Sequence, residues 1–525
     1  MSVPRSLDPR LVVTRRLLVA GVIALLVLVV LDLPDAQAVF YEVVFGTPSV
    51  VQWGAVALVI AVVAARRRSP TLFALAFAVF VVLGLVVGPV AAGIYAHDDV
   101  ANRMQRDTVQ LTTLPNTSTT NVRMLPRSVA DNYAQSSLQF PQYRLTESDI
   151  AFRNGSYQWS YGVVPDSFFV SWFGHQQGVM YVDMTTTQKV IHVEDATFRY
   201  GRGQLFFDSF AYQSVLHAPL QRHDWDTAFN AEANGTPYLA HSTVVYRWQF
   251  RLLPFPELYA VPRFGSVQVM YADGHIDRLT PAAAARSPLL RGQNVYPYDL
   301  TMFNVESMQY VHGALNKWFW KRDVLRVAPL PEGGNQWPLV VPTEGTPHAL
   351  TYFVATEPTG SGSGVYQIWT FDGQTGAAGV LQFDNAQIGP RKAVDFVGRD
   401  PEVNRLSSAL AISPIPVVKG DTLYWHVKVV PKSLSGVTYT AFVNADSGDV
   451  TLLKGDPPVY AFLRRGEVAA VGNETSGSGT TVTVVVVDAN GTVVGTRNVT
   501  VPVGGSVQVN VRNNATNASA GRAVG

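Results

Sequence analysis

The densest group of side chains that could do chemistry is His223-Asp224-Trp225-Asp226. Two carboxylates and an imidazole at this spacing could bind a cation or act as a general acid and base. The same residues also suit a solvated loop beside a buried tryptophan, and we adopt this second interpretation. We therefore predict no catalytic, cofactor-binding or metal-binding residue, and we keep an enzyme as the alternative.

Nine histidines follow residue 97, in the part of the chain where a hydrolase would need a nucleophile, a base and an orienting acid to converge. They are His175, His192, His217, His223, His241, His275, His312, His348 and His426. None stands in His-Glu-x-x-His or another metal-ligand spacing. The chain has no cysteine, which excludes disulfides, Fe–S clusters, thiolate zinc sites and cysteine nucleophiles.

A second group of candidate binding residues combines two tryptophans with three basic residues. They are Trp318 and Trp320 with Lys317, Lys321 and Arg322. Such a group could stack on a sugar or contact lipid headgroups. We favour a plainer interpretation, in which an aromatic core helix predicted over 299–319 ends here with its basic side chains in water. Net charge is +1, and no basic block offers an electrostatic footprint for nucleic acid.

Asn-x-Ser/Thr triplets predict N-glycosylation in archaea and eukaryotes, whereas most bacteria would leave them silent. The predicted sites are Asn116, Asn154, Asn234, Asn473, Asn490, Asn498, Asn514 and Asn517. All of them follow residue 97, and five crowd into the last 53 residues. This density is higher than chance and predicts a glycosylated surface.

Three stretches near the N-terminus are apolar enough to cross about 30 Å of hydrocarbon as helices. We predict spans at about 11–31, 46–65 and 71–95, which form a membrane anchor over 1–97. An alternative is that the first apolar run and Ala36-Gln37-Ala38 form a cleavable signal peptide, which would leave two spans.

Basic residues in short loops predict the orientation of these spans. Four arginines precede the unbroken apolar run of the first span, which starts at Leu17, and Arg66-Arg67-Arg68 lies between the second and the third span. The loop between the first two spans carries Asp32, Asp35 and Glu42 and no basic residue. We therefore predict a multi-pass protein of the cell membrane, with a cytoplasmic N-terminus and everything after His97 outside.

The predicted fold class is a set of N-terminal transmembrane α-helices, then a β-rich α+β extracytoplasmic region, then a small all-β C-terminal module. The predicted units are an α+β domain over 98–335, a second α+β domain over 336–465, and a β-rich, sequon-dense module over 466–525 with a disordered end. The polar, turn-rich segment from about 97 to 150 predicts a stalk.

Several short motifs follow one another in a fixed order between about residues 295 and 430. They are Tyr296-Pro297-Tyr298-Asp299-Leu300, Arg322-Asp323-Val324, Pro329-Leu330-Pro331, the strands Leu350–Ala355 and Gln367–Phe371, Gly398-Arg399-Asp400-Pro401-Glu402-Val403 and Gly420-Asp421-Thr422-Leu423. This order resembles the extracytoplasmic domain of a large uncharacterised family of bacterial and archaeal multi-spanning membrane proteins. The resemblance covers about a quarter of a chain that is shorter than the family and has fewer spans. It implies a membrane-tethered outer domain and assigns no site residues.

Together these features predict a membrane-anchored protein of the cell envelope with a large outer domain. We expect a non-enzymatic role in surface structure, adhesion or complex assembly. The alternatives are an extracytoplasmic hydrolase or glycan-processing enzyme, and an accessory subunit of a transport or secretion complex. The expected partners are the lipid bilayer and other envelope proteins or a second copy of the chain, with no cofactor and no nucleic acid.

Overall fold

The structure is a computed structural model. It describes residues 21, 29–30, 32–233, 235–332, 335–345, 349–360, 364–406, 408–465, 480–487 and 493–501. The chain divides into two compact units, Met1–Glu467 and Val468–Gly525. Most of the first predicted span, about 11–31, lies outside the described residues.

From residue 32 onward, the described part of the first unit opens with three helices. Helix α1 covers Leu33–Tyr41 and runs into a π-helical turn at Glu42–Gly46, α2 covers Pro48–Arg67, and α3 covers Pro70–Asp107 with a π-helical stretch at Phe80–Val87. By length and composition, α2 and α3 are apolar enough to cross a membrane. They correspond to the spans predicted at 46–65 and 71–95, and α3 continues 12 residues beyond its predicted end.

Local chemistry sets the ends of α2 and α3. Proline stands in the first turn of both helices, where its missing N–H costs no hydrogen bond. The Ser69 hydroxyl accepts a hydrogen bond from the Leu72 N–H at the start of α3. Arg68 has a left-handed backbone with φ of 49°, which closes the tight turn between the two helices. Leu58 and Phe77, one on each helix, leave most of their side-chain surface uncovered.

The remaining helices are short. They are α4 Arg127–Gln135, α5 Phe168–Phe173, α6 Phe210–His217, α7 Pro281–Ala284, α8 Tyr298–Ser307, α9 Pro390–Arg399, α10 Pro401–Asn404 and α11 Asp456–Arg465. The strands of the first unit are β1 Val109–Gln110, β2 Tyr143–Leu145, β3 Asp149–Arg153, β4 Ser156–Pro165, β5 Gly178–Asp183, β6 Ile191–Asp195, β7 Arg222–Ala233, β8 Thr236–Arg251, β9 Glu257–Tyr271, β10 Ile276–Leu279, β11 Leu325–Val327, β12 Leu339–Thr343, β13 Ala349–Pro358, β14 Val365–Asp372, β15 Ala378–Gln387, β16 Ala409–Lys419, β17 Thr422–Pro431, β18 Tyr439–Asn444 and β19 Val450–Leu453.

These strands form four sheets. The first two have the orders β10-β9-β8-β7 and β2-β4-β5-β6, and in the second of these β3 also pairs with β4. A six-stranded sheet has the order β1-β15-β14-β13-β11 with β12 also paired to β13, and the fourth sheet has the order β16-β17-β18-β19. Pairing is antiparallel except between β1 and β15. Asp273-Gly274 stands between two alternating runs, which predicts a two-residue hairpin, and it joins β9 to β10 with Met270 opposite Ile276.

Three cores lie between these sheets. On β13, Tyr352 and Val354 enter the largest core, whereas Phe353 and Ala355 enter a second core shared with the β16–β19 sheet. The alternation follows the two-residue period of a strand and shows that the six-stranded sheet is buried on both faces. A third core, which includes Tyr181, lies between the β2–β6 and β7–β10 sheets. The four sheets therefore stack in layers.

The largest core crosses the boundary predicted at 335/336. It contains Tyr95 and Val100 of α3, Trp159 of β4, and Tyr352 and Trp369 of the six-stranded sheet. The predicted domains 98–335 and 336–465 therefore share one core inside a single compact unit. Sequence composition does not reveal that the two predicted domains share a core. Both faces of the six-stranded sheet are apolar, so the sequence does not show which segment packs on each face.

The stalk predicted from about 97 to 150 is wrong. Helix α3 continues to Asp107, and Val122, Met124 and Leu125 are fully buried after it. Some of the polar groups that made this segment resemble a stalk find partners within the fold. Arg123, for example, donates a hydrogen bond to the Asn335 Oδ1 at 2.8 Å.

Two predicted helices, one over 299–319 and one over 400–410 with Pro401 in its first turn, are also shorter than expected. The helix predicted over 299–319 ends at Ser307, continues as 3₁₀ over Met308–Tyr310, and resumes as a π-helical turn at Asn316–Trp320 beyond Gly313. Gly313 has φ of 81°, which an α-helix does not allow. In the C-terminal part, Pro401 starts a helix of four residues, and the longer α9 precedes it.

The second unit contains one described hairpin. Strand β20 covers Thr480–Val487 and pairs antiparallel with β21, Val493–Val501. Three β-rich runs in the sequence, 480–487, 492–501 and 506–511, predict strands in this unit, and the two described strands coincide with the first two runs. The third predicted β run, 506–511, and the end of the chain predicted to be disordered lie outside the described residues.

Removing the Tyr352 hydroxyl tests whether the segments on the two sides of residue 335 unfold together. This hydroxyl is buried and donates to the Tyr296 carbonyl at 3.0 Å. We expect Tyr352→Phe to lower the free energy of unfolding by about 1–2 kcal/mol, because the Tyr296 carbonyl loses its buried donor. Urea unfolding of the full chain in detergent, followed by tryptophan fluorescence, should show one transition at lower urea. Tyr366→Phe, on an exposed ring of the next strand, is the control.

Candidate functional site

A cavity of about 970 Å³ opens in the first unit, at the upper end of the size of ordinary ligand pockets. Its charged lining consists of Asp32, Asp35, Glu147, Asp149, Asp226, Asp299, Arg123, Arg127 and Arg202. Its aromatic lining consists of Trp159, Phe206, Phe210, Tyr212, Trp225, Phe229, Tyr298 and Trp337. Residues from α1, the β2–β6 sheet, β7, α8 and the start of β12 therefore meet here.

Arg123 is the most deeply buried charge of the lining, with 6% of its surface exposed. Its guanidinium lies over the Trp159 ring at 4.5 Å and donates to Asn335. Among the described residues no carboxylate pairs with it, and its Nε has no hydrogen-bond partner. Burial, and to a smaller extent the nearby Arg127, lower the pKa of Arg123 to about 9.

Arg202 is held in place by a Gly-Arg-Gly turn. A side chain at Gly203, where φ is 75°, would collide with Val164, so the turn approaches β4 as only glycine permits. Arg202 pairs with Asp149 at 2.8 Å and also donates to the Ala228 carbonyl. Burial raises the pKa of Asp149 to about 6, although the Arg202 charge acts in the opposite direction.

A wide bulge in β7 supplies the next part of the lining. Asp224 pairs with Ser242 and Phe229 with Ala240, so four residues of β7 stand opposite the single residue His241 of β8. The four residues leave the ladder, and Asp226 among them reaches the cavity. Within the described chain Asp226 has no ion-pair partner. Arg222, on the same strand, pairs with Asp299 at 2.8 Å.

Asp224 lies just behind this lining and is 4% exposed. Its Oδ2 has no hydrogen-bond partner among the described residues. Burial raises the pKa of Asp224 to about 7, and the neighbouring carboxylates of Asp299 and Asp226 add to the effect. The pKa of Asp226 is also raised, mainly by partial burial.

The structure separates the members of the predicted His223-Asp224-Trp225-Asp226 group. Trp225 and Asp226 line the cavity, whereas the His223 ring bonds through Nδ1 to His241 at 2.9 Å and through Nε2 to the Ala218 carbonyl at 3.1 Å. Burial lowers the pKa of His223 to about 4. No histidine lines the cavity among the residues described, and these residues hold no group of three potential metal ligands.

Sequence reasoning missed most of the charged lining. Asp32, Asp35, Arg123, Asp149 and Arg202 carry no motif, and they stand far apart in the chain. The one available signal was Gly201-Arg202-Gly203, because two glycines beside an arginine indicate a backbone that approaches a neighbour closely.

The predicted group around Trp318 lies outside the cavity lining. Trp318, Phe319 and Trp320 are exposed, and the Lys317 ammonium lies 3.9 Å from the centre of the Tyr310 ring. The turn is therefore an exposed aromatic feature in place of the predicted end of a core helix.

One of the predicted glycosylation sites lies on an exposed turn, one on an exposed segment without regular structure, and one on a strand. Asn116 and Asn154 are exposed, and Asn154 occupies the β3–β4 turn with φ of 50°. Asn498 lies on β21 opposite Thr483. Asn234, Asn473, Asn490, Asn514 and Asn517 lie outside the described residues. Glycosylation stays a prediction.

Comparisons with known proteins add no family. A scan of protein-family models and a search of curated proteins found no match. Among solved structures, the C-terminal domain of gp131 from bacteriophage phiKZ aligns with a TM-score of 0.10 and 12% identity, covering 58% of this chain and 70% of that one. This likeness is too weak to support any argument about fold or function.

The raised pKa of Asp224 predicts a pH-dependent stability. A carboxyl that titrates near pH 7 when folded and near 3.8 when unfolded stabilises the fold below about pH 4, and this contribution is lost as pH rises through about 7. Asp224→Asn stays neutral throughout, so we expect the variant to gain stability over the natural chain between pH 4 and 8. Urea midpoints of the full chain in detergent at pH 4.5 and 8 measure this difference.

The exposed turn residue Asp273 provides the control for this measurement. Asp273→Asn should follow the natural chain at both pH values, since the change lies in solvent. Parallel pH profiles for Asp224→Asn and the natural chain would contradict the assignment of Asp224 as a carboxyl that is neutral in the fold.

Proposed function

We propose that this chain is a membrane-anchored protein of the cell envelope whose outer domain binds a polyhydroxylated ligand, such as a glycan, in the cavity. The observation that carries the proposal is the composition of the lining. Asp226 and Arg123 lack ion-pair partners among the described residues and lie with Trp225 and Trp337 around one space. Such binding fits a role in surface structure, adhesion or assembly of an envelope complex.

The chemistry of the lining supports a neutral, hydroxyl-rich ligand. Carboxylates accept hydrogen bonds and guanidinium groups only donate them, so together they satisfy hydroxyl groups that do both. Aromatic rings supply flat apolar faces against which a sugar ring can pack. Six carboxylates against three guanidinium groups disfavour a polyanion, which the excess negative charge would repel.

Contacts of α1 support an outer location for the domain. Gln37 donates to the carbonyls of Pro219 and Gln221 at 2.7 and 2.9 Å, so the loop between the first two predicted spans lies on the same side as the domain. Arg66-Arg67-Arg68 lies at the opposite end of α2. Because basic loops stay in the cytoplasm, this arrangement supports an outer domain.

The same contacts favour an intact N-terminus over a cleaved signal peptide. Ala36-Gln37-Ala38 lies inside α1, and Gln37 is buried against the start of β7. Cleavage there would remove both hydrogen bonds and the lining residues Asp32 and Asp35. The resemblance over residues 295–430 and the sequons are consistent with an envelope protein and remain part of the proposal.

Saccharide binding tests the proposal directly. We expect the full chain in lipid nanodiscs to bind at least one of the neutral saccharides glucose, galactose, N-acetylglucosamine and their disaccharides. Asp226→Asn should weaken that binding about tenfold, because a hydrogen bond to a charged acceptor is worth about 1.5–3 kcal/mol. Isothermal titration calorimetry gives both affinities, and Asp273→Asn is the matched control. Absence of heat with every saccharide, or equal affinity in the two variants, would refute glycan binding in this cavity.

A second candidate is an enzyme that hydrolyses glycans. The observation in its favour is that Asp149 and Asp226, two carboxyls with raised pKa values, line the same cavity. Glycoside hydrolysis ordinarily requires a protonated carboxylic acid and a second carboxylate flanking the scissile bond. Asp149 would be the acid, with Asp226 as the base or nucleophile.

Fluorogenic glycosides separate binding from hydrolysis. If the second candidate is correct, the full chain should release 4-methylumbelliferone from a 4-methylumbelliferyl glycoside. The rate should fall as pH rises through about 6, because Asp149 then loses the proton that the leaving group needs. Asp226→Asn should lower the rate at least about a hundredfold, and Asp384→Asn, on exposed β15, should not. Saccharide binding without turnover would support the binding function and would exclude hydrolysis of these substrates.

A further inference from the structure

The end of β8 and the turn that joins it to β9, together residues 250–256, expose an unusual amount of apolar surface. Phe250, Leu252 and Leu253 are 58%, 64% and 74% exposed. Hairpin turns ordinarily carry polar residues, and neighbouring exposed apolar side chains indicate a surface that another apolar phase covers. We call residues 250–256 the hairpin tip.

The hairpin tip is fastened to the apolar helices. The Tyr95 hydroxyl of α3 donates to the Phe255 carbonyl at 3.0 Å, and the Trp53 ring of α2 stacks on the Phe255 ring at 5.6 Å. Gln52 donates to the Pro256 carbonyl at 3.0 Å. Next to the tip, the Trp53 indole donates to Glu257 at 2.9 Å. These bonds fix the height of the tip along α2 and α3.

The length of α3 shows where the tip would lie across a bilayer. Gly88 follows Pro70, the first residue of α3, by 18 residues, which is at most about 27 Å of helix and close to the thickness of the hydrocarbon layer. A side chain at Gly88 would meet Trp53 and Glu257, so the base of the tip lies level with this residue. If Arg68 marks the inner boundary, the tip lies at the outer boundary of the hydrocarbon.

Side chains around the tip suit this boundary. Trp248, beside the tip, is partly exposed while its indole donates to the Phe45 carbonyl at 3.0 Å. Arg251 within the tip pairs with Asp98 at 2.8 Å and lies over the Tyr95 ring, and Arg247 is exposed nearby. Tryptophan and tyrosine concentrate where hydrocarbon meets headgroups, and exposed arginines can reach lipid phosphates.

We infer that the hairpin tip inserts Phe250, Leu252 and Leu253 into the outer leaflet of the bilayer that α2 and α3 cross. The inference rests on the proposed membrane anchoring and adds a second, non-helical lipid contact. Continuity with the apolar helices selects lipid as the occupant, because the tip lies at the same height as the end of their apolar surface. Two contacts at one boundary would hold the outer domain at a fixed tilt.

Spin labelling tests the inference without background, since the chain has no cysteine. Single cysteines replace Leu253, Leu252, Phe77 on α3, and Asp273 at the opposite end of β9, about 45 Å along the strand. The full chain is labelled and reconstituted in nanodiscs of phosphatidylcholine and phosphatidylglycerol. Electron paramagnetic resonance then compares the accessibility of each label to oxygen, which concentrates in lipid, and to a water-soluble nickel chelate.

We expect the oxygen-to-nickel accessibility ratio at residues 252 and 253 to exceed that at residue 273 at least about fivefold and to approach that at residue 77. Labels at 252 and 253 that match residue 273, while residue 77 reports lipid, would overturn the inference and leave the anchoring intact. Labels shielded from both reagents would mean that a second copy or another protein covers the tip, which also overturns it. A nickel-accessible residue 77 would refute the anchoring itself, and with it the inference. The replaced side chains at 252, 253 and 273 are exposed, so these substitutions leave the packing unchanged.

Discussion

Helix α3 joins two environments along one continuous backbone. Its first half leaves Phe77 and Leu85 uncovered, and its second half buries Tyr95, Val100 and Met104 in the largest core. Exposing an apolar side chain to water is unfavourable by roughly 25 cal/mol for each Å² of exposed surface. The first half of α3 therefore exposes apolar surface that the proposed membrane would cover, while the second half is part of the folded domain. Because a helix is stiff over this length, the folded domain keeps a fixed position relative to α2 and the first half of α3.

The β7–β10 sheet links this helix to the cavity. One end of β8 leads into the hairpin tip against Tyr95 and Trp53, and the bulge of β7 lies opposite His241 further along the same strand. Ten residues separate His241 from Arg251, about 33 Å of strand. A rigid antiparallel ladder over this distance holds the cavity lining in register with the helices, so the proposed lipid contact and the proposed ligand site share one framework.

Burying charged groups around the cavity is energetically unfavourable. Arg202 reduces this cost by pairing with Asp149, while Asp224 reduces it through a raised pKa that lets the carboxyl keep its proton. Arg123 has only Asn335 and the face of Trp159 as partners in the described chain. Groups left so incompletely satisfied in a cavity are ordinarily completed by water or by a ligand. This physical need is the reason to regard the cavity as a binding site.

The amino-acid sequence by itself determined the local features. The extents of α2 and the apolar part of α3 follow from runs without charge, the β9–β10 turn follows from Asp273-Gly274, and β20 coincides with the β-rich run 480–487. Each of these features depends on neighbours within a few residues. Tertiary structure alone decided the burial of Val122 after α3, the break of the predicted 299–319 helix, and the shared core across residue 335. It also decided that Asp226 and not His223 reaches the cavity, because a bulge and the packing of distant sheets choose which side chains face the same space.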